Sequence, residues 1–235
     1  GTVSDIVPLQ DENRILVKIG LEKMNLLDRP GIKALADNSG LTGKPIGSGQ
    51  IVFVIAPRIN AVGRMGKADR AVQLLTTEDT DEARQSALVL ERENRRRKEV
   101  DTITFEEARS MLDEEYDSEH DAAVVLHKEG WHSGVIGIVA SRIVEEIYRP
   151  TVMIAVEDGV GKGSARSIAN FDIYEAISKC KEHLVDFGGH KYAAGLSIKP
   201  EKIGVFREQL NEIASNTLSE DDIEKKIHID REIEL

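Results

Sequence analysis

The chain of 235 residues is 40% hydrophobic and 31% charged, which suits one large or two small globular domains and excludes a disordered protein. No apolar run approaches the ~18 residues of a membrane span, and no basic-then-apolar leader opens the chain at Gly1. The net charge of −11 weighs against a coat for duplex DNA, yet it is unevenly spread: residues 1–76 carry ten Lys/Arg against seven Asp/Glu, residues 77–120 seven against fifteen. A local anion-binding cleft therefore survives the acidic total, since screening acts over about 8 Å.

In chain order, residues 12–27 space Ile15, Leu16, Ile19 and Met24 for a helix, and Pro30-Gly31 open a short one closed by Ser39-Gly40. Residues 41–50 read as loop, and IVFVIAP (51–57) as a buried strand or a helix start. Asp79 with Glu82 has the form of a helix N-cap with a reciprocal acidic partner, and nothing interrupts the helix from there to Tyr116. Its middle, ERENRRRKE (91–99), offers no apolar side. The expectation is a segment exposed all round that bridges two domains, with the boundary placed there.

Beyond it, Ala122–Leu126 reads as a strand, Val135–Tyr148 as a helix stopped by Pro150, and Thr151–Val156 as a second strand broken by Gly159, Gly161 and Gly163. Asp172, with Glu175 as reciprocal partner, caps a helix reaching Val185. Gly188-Gly189 make a turn, 193–198 is a strand, and a last helix runs from about Lys202 to Leu218. Strands alternating with helices predict an α/β or α+β layer domain. Ile227, Ile229, Ile233 and Leu235 alternate as a final strand with nothing after it to pair with, and the chain reads as a piece of a longer protein.

Several phrases can carry chemistry. The lone Cys180 excludes an intrachain disulfide and a cysteine-built zinc site, is read as a quiet mid-helix thiol, and fits a reducing cytoplasm. Any metal chemistry is then carboxylate-led, and Asp5 is either a cap or an oxygen ligand for a hard divalent cation. PRINAVGRM (57–65) sets Arg58, Asn60 and Arg64 around Gly63, a phosphate grip or a solvated surface turn. The cluster 95–98 reads as a solvated helix face. Trp131 and His132 stand in a glycine-flanked loop opening a helix, where anions bind in α/β domains, although Trp131 is equally a packing aromatic. GKGSARS (161–167) offers backbone donors together with Ser164, Arg166 and Ser167, without the order of a nucleotide-hydrolysing P-loop. His190 follows Gly188 and Gly189, poised to donate to a phosphate or a base.

Taken in order, GTVSDIVPL, PRINAVGRM, GWHSGVIGIVASR, GKGSARS and FGGHKYAAGL resemble the RecJ family of single-stranded-DNA-specific 5′→3′ exonucleases, within the DHH phosphoesterase superfamily. The resemblance implies an α/β protein in four parts. Residues 1–76 are the C-terminal part of the DHH catalytic domain and 77–120 a connecting helix. Residues 121–218 are the DHH-associated substrate-binding domain, and 219–235 the first strand of an oligonucleotide-binding fold. It makes Asp5 a metal ligand, and Arg58, Asn60, Arg64, Trp131, His132, Ser164, Arg166, Ser167, Gly188, Gly189 and His190 contacts to the nucleic acid.

It also implies Mn²⁺ or Mg²⁺ in the full-length enzyme, whose remaining ligands this chain lacks, so the chain alone is expected to be inactive. The implied setting is cytoplasmic repair and recombination, with single-stranded DNA as partner, no membrane and a monomeric state. Two other readings stand beside it: a short-oligonucleotide or cyclic-dinucleotide phosphodiesterase of the same superfamily, against which the oligonucleotide-fold stub and the long helix speak, and a non-catalytic RNA-binding module as in alanyl-tRNA synthetases, which has no use for Asp5 and PRINAVGRM.

Overall fold

The computed structural model describes residues 1–117, 120–226, 229 and 231. It divides into two compact units, Gly1–Glu99 and Val100–Leu235.

The first unit is helical among its described residues. Helix α1 (Asp11–Asn25) buries no residue, whereas α2 (Pro30–Asn38) starts on Pro30 and buries Ala34, Leu35 and Ala36. One turn, α3 (Ser48–Gln50), runs into a wide π-helical turn over Ile51–Ile55 and then α4 (Ala56–Met65). The apolar run of 51–55, β-branched except at Phe53, thus continues as helix rather than strand. Its widened turn directly precedes Pro57, whose ring crowds the carbonyl four residues back in a regular helix. PRINAVGRM is correspondingly helix, not turn. Helix α5 (Asp69–Thr76) and the first half of α6 (Thr80–Glu115) complete a core around Leu35, Ile55, Val62, Leu74, Ala83, Ala87 and Leu90.

Asp79 caps α6 as its sequence position predicts, its Oδ1 accepting from the Asp81 and Glu82 amides at 2.8 Å. Glu82 does not reciprocate; its carboxylate takes the Thr77 hydroxyl and the Gln73 amide instead. The helix is unbroken over 36 residues. Its polar centre, however, is not exposed all round: Asn94 is 1% accessible, and Glu91 is half-buried against Arg58. The absence of apolar side chains does not leave a helix bare when polar groups find partners.

The second unit is a five-stranded mixed sheet ordered β1-β2-β3-β5-β4. β1 (Val124–Glu129) and β2 (Thr151–Glu157) are parallel and joined by α7 (Ile136–Ile147). β2, β3 (Val160–Arg166), β5 (Ala193–Ile198) and β4 (Leu184–His190) pair antiparallel. The β2–β3 hairpin turns on Asp158-Gly159, both at positive φ (49° and 75°), the backbone a two-residue I′ turn requires.

α8 (Ile173–Lys179) and α9 (Ile203–Thr217) cover one face of the sheet. Ile173, Ile177, Phe206 and Leu210 meet Val125, Ile154, Leu196 and Ile198 there. Asn211 of α9 accepts the Ala122 and Ala123 amides where the chain enters β1. α7 covers β2 and β3 on the other face through Ile136, Val139, Ala140 and Ile143. Cys180 caps the C-terminus of α8 rather than sitting mid-helix, and burial pushes its thiol up to about 11. The helix that Asp172 caps ends at Lys179, so Val185 belongs to β4. Residues 227, 228, 230 and 232–235, and with them most of the alternating C-terminal strand, lie outside the described residues.

Candidate nucleic-acid interface

Register determines what the sheet presents. Side chains alternate across a strand, so β3 turns Gly161, Gly163 and Ala165 to the core and Lys162, Ser164 and Arg166 to the α7 face. The two glycines serve packing: a Cβ at Gly161 would lie 2.8 Å from Ile154, and one at Gly163 2.6 Å from Leu196. GKGSARS is therefore not a donor-rich turn. β3 is a central strand, and its ladders to β2 and β5 use the backbone groups that a phosphate loop needs. Only its outward side chains remain to meet a ligand. Ser167, one residue on, gives its hydroxyl to Phe171 O at 2.7 Å and belongs to the turn.

Gly188 and Gly189 likewise lie in strand β4, not in a turn; the turn is Lys191-Tyr192. Gly189 has φ +154°, and a Cβ there would fall 2.5 Å from Ala194 Cα, so the backbone itself demands glycine. At Gly188 a Cβ would meet nothing within 4 Å.

Cross-strand pairing then assembles one surface from separate phrases. Arg166 and His190 both oppose Ala193, in one row across β3, β5 and β4. At strand spacing their backbones are about 10 Å apart. The next row is Ser164, Gly195, Gly188, and the next Lys162, Ser197, Asp186. A cleft of about 430 Å³ opens here, lined by Ser133, Lys162, Asp186, Gly188, Gly195 and Ser197 among others.

Arg166 is firmly held. Its Nε donates to Ser141 Oγ (3.2 Å), and its Nη1 to Ser164 Oγ (3.0 Å) and Ala165 O (2.7 Å). The His190 Nδ1 accepts from the Tyr192 amide at 3.3 Å, which leaves Nε2 as the donor. His132 is similar, with Nδ1 accepting from the Gly134 amide at 3.0 Å just before α7.

Trp131 lies 3% exposed beneath this loop, and its Nε1–H donates to Glu107 Oε2 at 2.7 Å. It packs and offers no ring face to a base. Lys128 Nζ sits 2.8 Å from the same carboxylate. Lys128 first, and Trp131 second, hold Glu107 below the usual carboxylate range.

Among the first unit's candidates, Arg58 is turned to a partner within the protein, and Asn60 and Arg64 are exposed. Arg58 is 14% exposed, its Nε donating to Glu91 Oε2 and its Nη1 to Val54 O, both at 2.6 Å. Asn60 and Arg64, one helical turn apart, lie on the exposed side of α4. Asp5 is exposed in a turn where its amide donates to Gly1 O at 3.0 Å. Among the described residues no cluster of three or more His, Cys, Asp or Glu could hold a metal ion.

Sequence reading did not single out Lys162, Ser197, Asp186 and Gly195, which lie on this face, or Ser141, which meets Arg166. The signal was the period-two spacing of Lys162, Ser164 and Arg166, legible only if the phrase is taken as strand.

Residues 120–216 match the DHHA1 domain family, so the sheet unit with its polar face is a DHHA1 domain. The similarity extends along nearly the whole chain. It is 42% identical over 224 residues to the single-stranded-DNA-specific exonuclease RecJ of Bacillus subtilis (94% of this chain, 28% of that protein). With RecJ of Thermus thermophilus it shares 40% identity over 217 residues (92% and 30%). The crystal structure of the Thermus thermophilus RecJ in complex with Mg²⁺ superposes with a TM-score of 0.81 at 36% identity, covering 92% of this chain and 33% of that one. An exonuclease RecJ bound to manganese gives 0.80 at 36% identity, covering 94% and 54%. The chain belongs to the RecJ family, and it spans under a third of the length of these two curated relatives. No helix among the described residues is long and apolar enough to cross a membrane.

Proposed function

We propose that this chain supplies the substrate-strand clamp of a metal-dependent 5′→3′ exonuclease that hydrolyses single-stranded DNA in repair and recombination. The observation that carries the reading is the Arg166–Ala193–His190 row. It sets two donor side chains from separate segments on one sheet face, beside an open cleft. A guanidinium fork and an imidazole donor suit phosphate oxygens, and Lys162 adds a third cationic or donor group further along the strand. Few of these groups are built to read base edges, so the clamp positions the backbone and leaves sequence unread.

In this reading residues 1–76 close the catalytic domain, residues 77–120 connect, residues 121–218 clamp, and residues 219–235 begin an oligonucleotide-binding fold. The two similar solved structures carry Mg²⁺ and manganese, and the full-length protein would use the same ions. The residues present here do not make that centre: Asp5 stands as a single exposed carboxylate, far short of the six or more oxygens such ions gather. The chain's own part is to bind and orient.

Equilibrium binding of a labelled oligonucleotide at several salt concentrations tests the reading. Arg166→Ala should weaken binding of every sequence alike and reduce the salt slope by about one phosphate's worth. His190→Ala should cost less, because it removes one donor rather than a fork. The chain alone should release no nucleotide with Mn²⁺. Unchanged affinity for Arg166→Ala would end the clamp reading.

A further inference from the structure

Resting on that reading of Arg166, we propose that Gly137 and Ser141, one turn apart on α7, are positioning residues that aim its guanidinium at the phosphate. Ser141 Oγ donates to Gly137 O at 3.2 Å, the i−4 carbonyl of its own helix, which commits its single proton. Its lone pairs are then turned outward, and Arg166 Nε donates to one of them at 3.2 Å. The hydroxyl thus acts as a fixed acceptor. Together with Ser164 Oγ and Ala165 O it fixes the orientation of the guanidinium plane.

Gly137 provides the space. A Cβ there would lie 2.8 Å from Arg166 Nη2 and 2.7 Å from Ser164 Oγ. Gly137 stands in the first turn of α7, where alanine is the better helix former, and the helix forgoes that preference at a position where a methyl would displace the fork. The atoms in its way are side-chain ends. The fold can therefore absorb a methyl by moving them, and the loss falls on the aim of Arg166 rather than on the core.

Binding of a fluorescein-labelled single-stranded oligonucleotide to the 235-residue chain at low salt, with melting curves in parallel, tests this. Ser141→Ala and Gly137→Ala should each weaken binding about 3- to 10-fold, the scale of one orienting hydrogen bond, without lowering the melting temperature. In an Arg166→Ala background neither should add a further loss, and Ser141→Thr, which keeps the hydroxyl, should restore binding. Wild-type affinity in both single variants, or losses that persist in the Arg166→Ala background, overturns the proposal. If Gly137→Ala fails to fold, the two Ser141 variants decide between these outcomes. Should Arg166→Ala bind like the unaltered chain, it is the clamp reading that fails, and the proposal fails with it.

Discussion

Arg58 in the helical unit and Arg166 in the sheet unit carry the same guanidinium in different company. Arg58 lies along α4 and meets the carboxylate of Glu91, so its charge is matched within the protein. Arg166 leaves a strand beside a cleft, and the oxygens of Ser141, Ser164 and Ala165 hold its plane. Both arginines stand in phrases that contain a glycine and at least one small polar residue. Secondary structure separates them: a helix turned Arg58 toward a neighbouring helix face, whereas a strand put Arg166 in register with His190. An arginine's work follows from the acceptors its backbone brings to it.

The largest expected effects test the scaffolds of the two units. Gly31→Ala would set a Cβ on the Leu74 carbonyl, where α2 meets α5. Gly189→Ala would force a side chain at φ +154° against Ala194. Backbone atoms cannot step aside, so each should cost about 3 kcal/mol by denaturant unfolding. A Gly189→Ala protein as stable as the original would undo the register on which the Arg166–His190 row depends.

A smaller effect separates the arginines. Arg58→Ala should lower stability by about 1–3 kcal/mol, because it leaves the half-buried Glu91 with only the exposed Arg95 as its cation. Arg166→Ala should lower melting by far less than Arg58→Ala does while weakening DNA binding. Melting curves that reversed this ranking would break the comparison.

The smallest effect concerns a cation that the sheet unit itself pairs with a carboxylate. Lys128 and Trp131 lower the Glu107 pKa from 4.5, so their contribution is present above that value and fades as pH falls through the lower folded one. Glu107→Gln should therefore melt slightly below the unaltered chain at pH 7, with the gap closing in acid. A gap that stayed constant through acid would detach this pair from the loop beneath His132.

Much of this arrangement was readable from the chain and some of it was not, for physical reasons. Ala83, Ala87 and Leu90 recur at helical spacing and form a helix face; Asp79 and Asp172 have the chemistry of caps and act as caps. The glycine-rich phrases misled. Gly161, Gly163 and Gly189 look like turn residues, yet they are small because Ile154, Leu196 and the Ala193-Ala194 backbone press on them inside a sheet. Local composition cannot distinguish a glycine that frees the backbone from one that makes room for a neighbour. The face shared by Ser164, Arg166, Gly188 and His190 depends on pairings between strands some twenty residues apart, and Ser141 reaches it from a third segment. The charge of 91–99 concealed a partner in the same way, since Arg58 lies a helix away from Glu91.

A sheet open at both ends offers rows of unpaired amides and carbonyls to any other chain it meets, the usual route to ribbon-like aggregates. Here the two rims are blunted by different devices. At one rim the Asn211 carboxamide, reaching over from α9, engages the amides of Ala122 and Ala123 where an incoming strand would begin to zip. At the other, a register slip between Leu184 and Asp186 and the conformation of Gly189 spoil the straight edge a new strand would need. Replacing Asn211 by leucine would keep much of its bulk and remove its amide, and the consequence to look for is concentration-dependent self-association rather than a change in the fold.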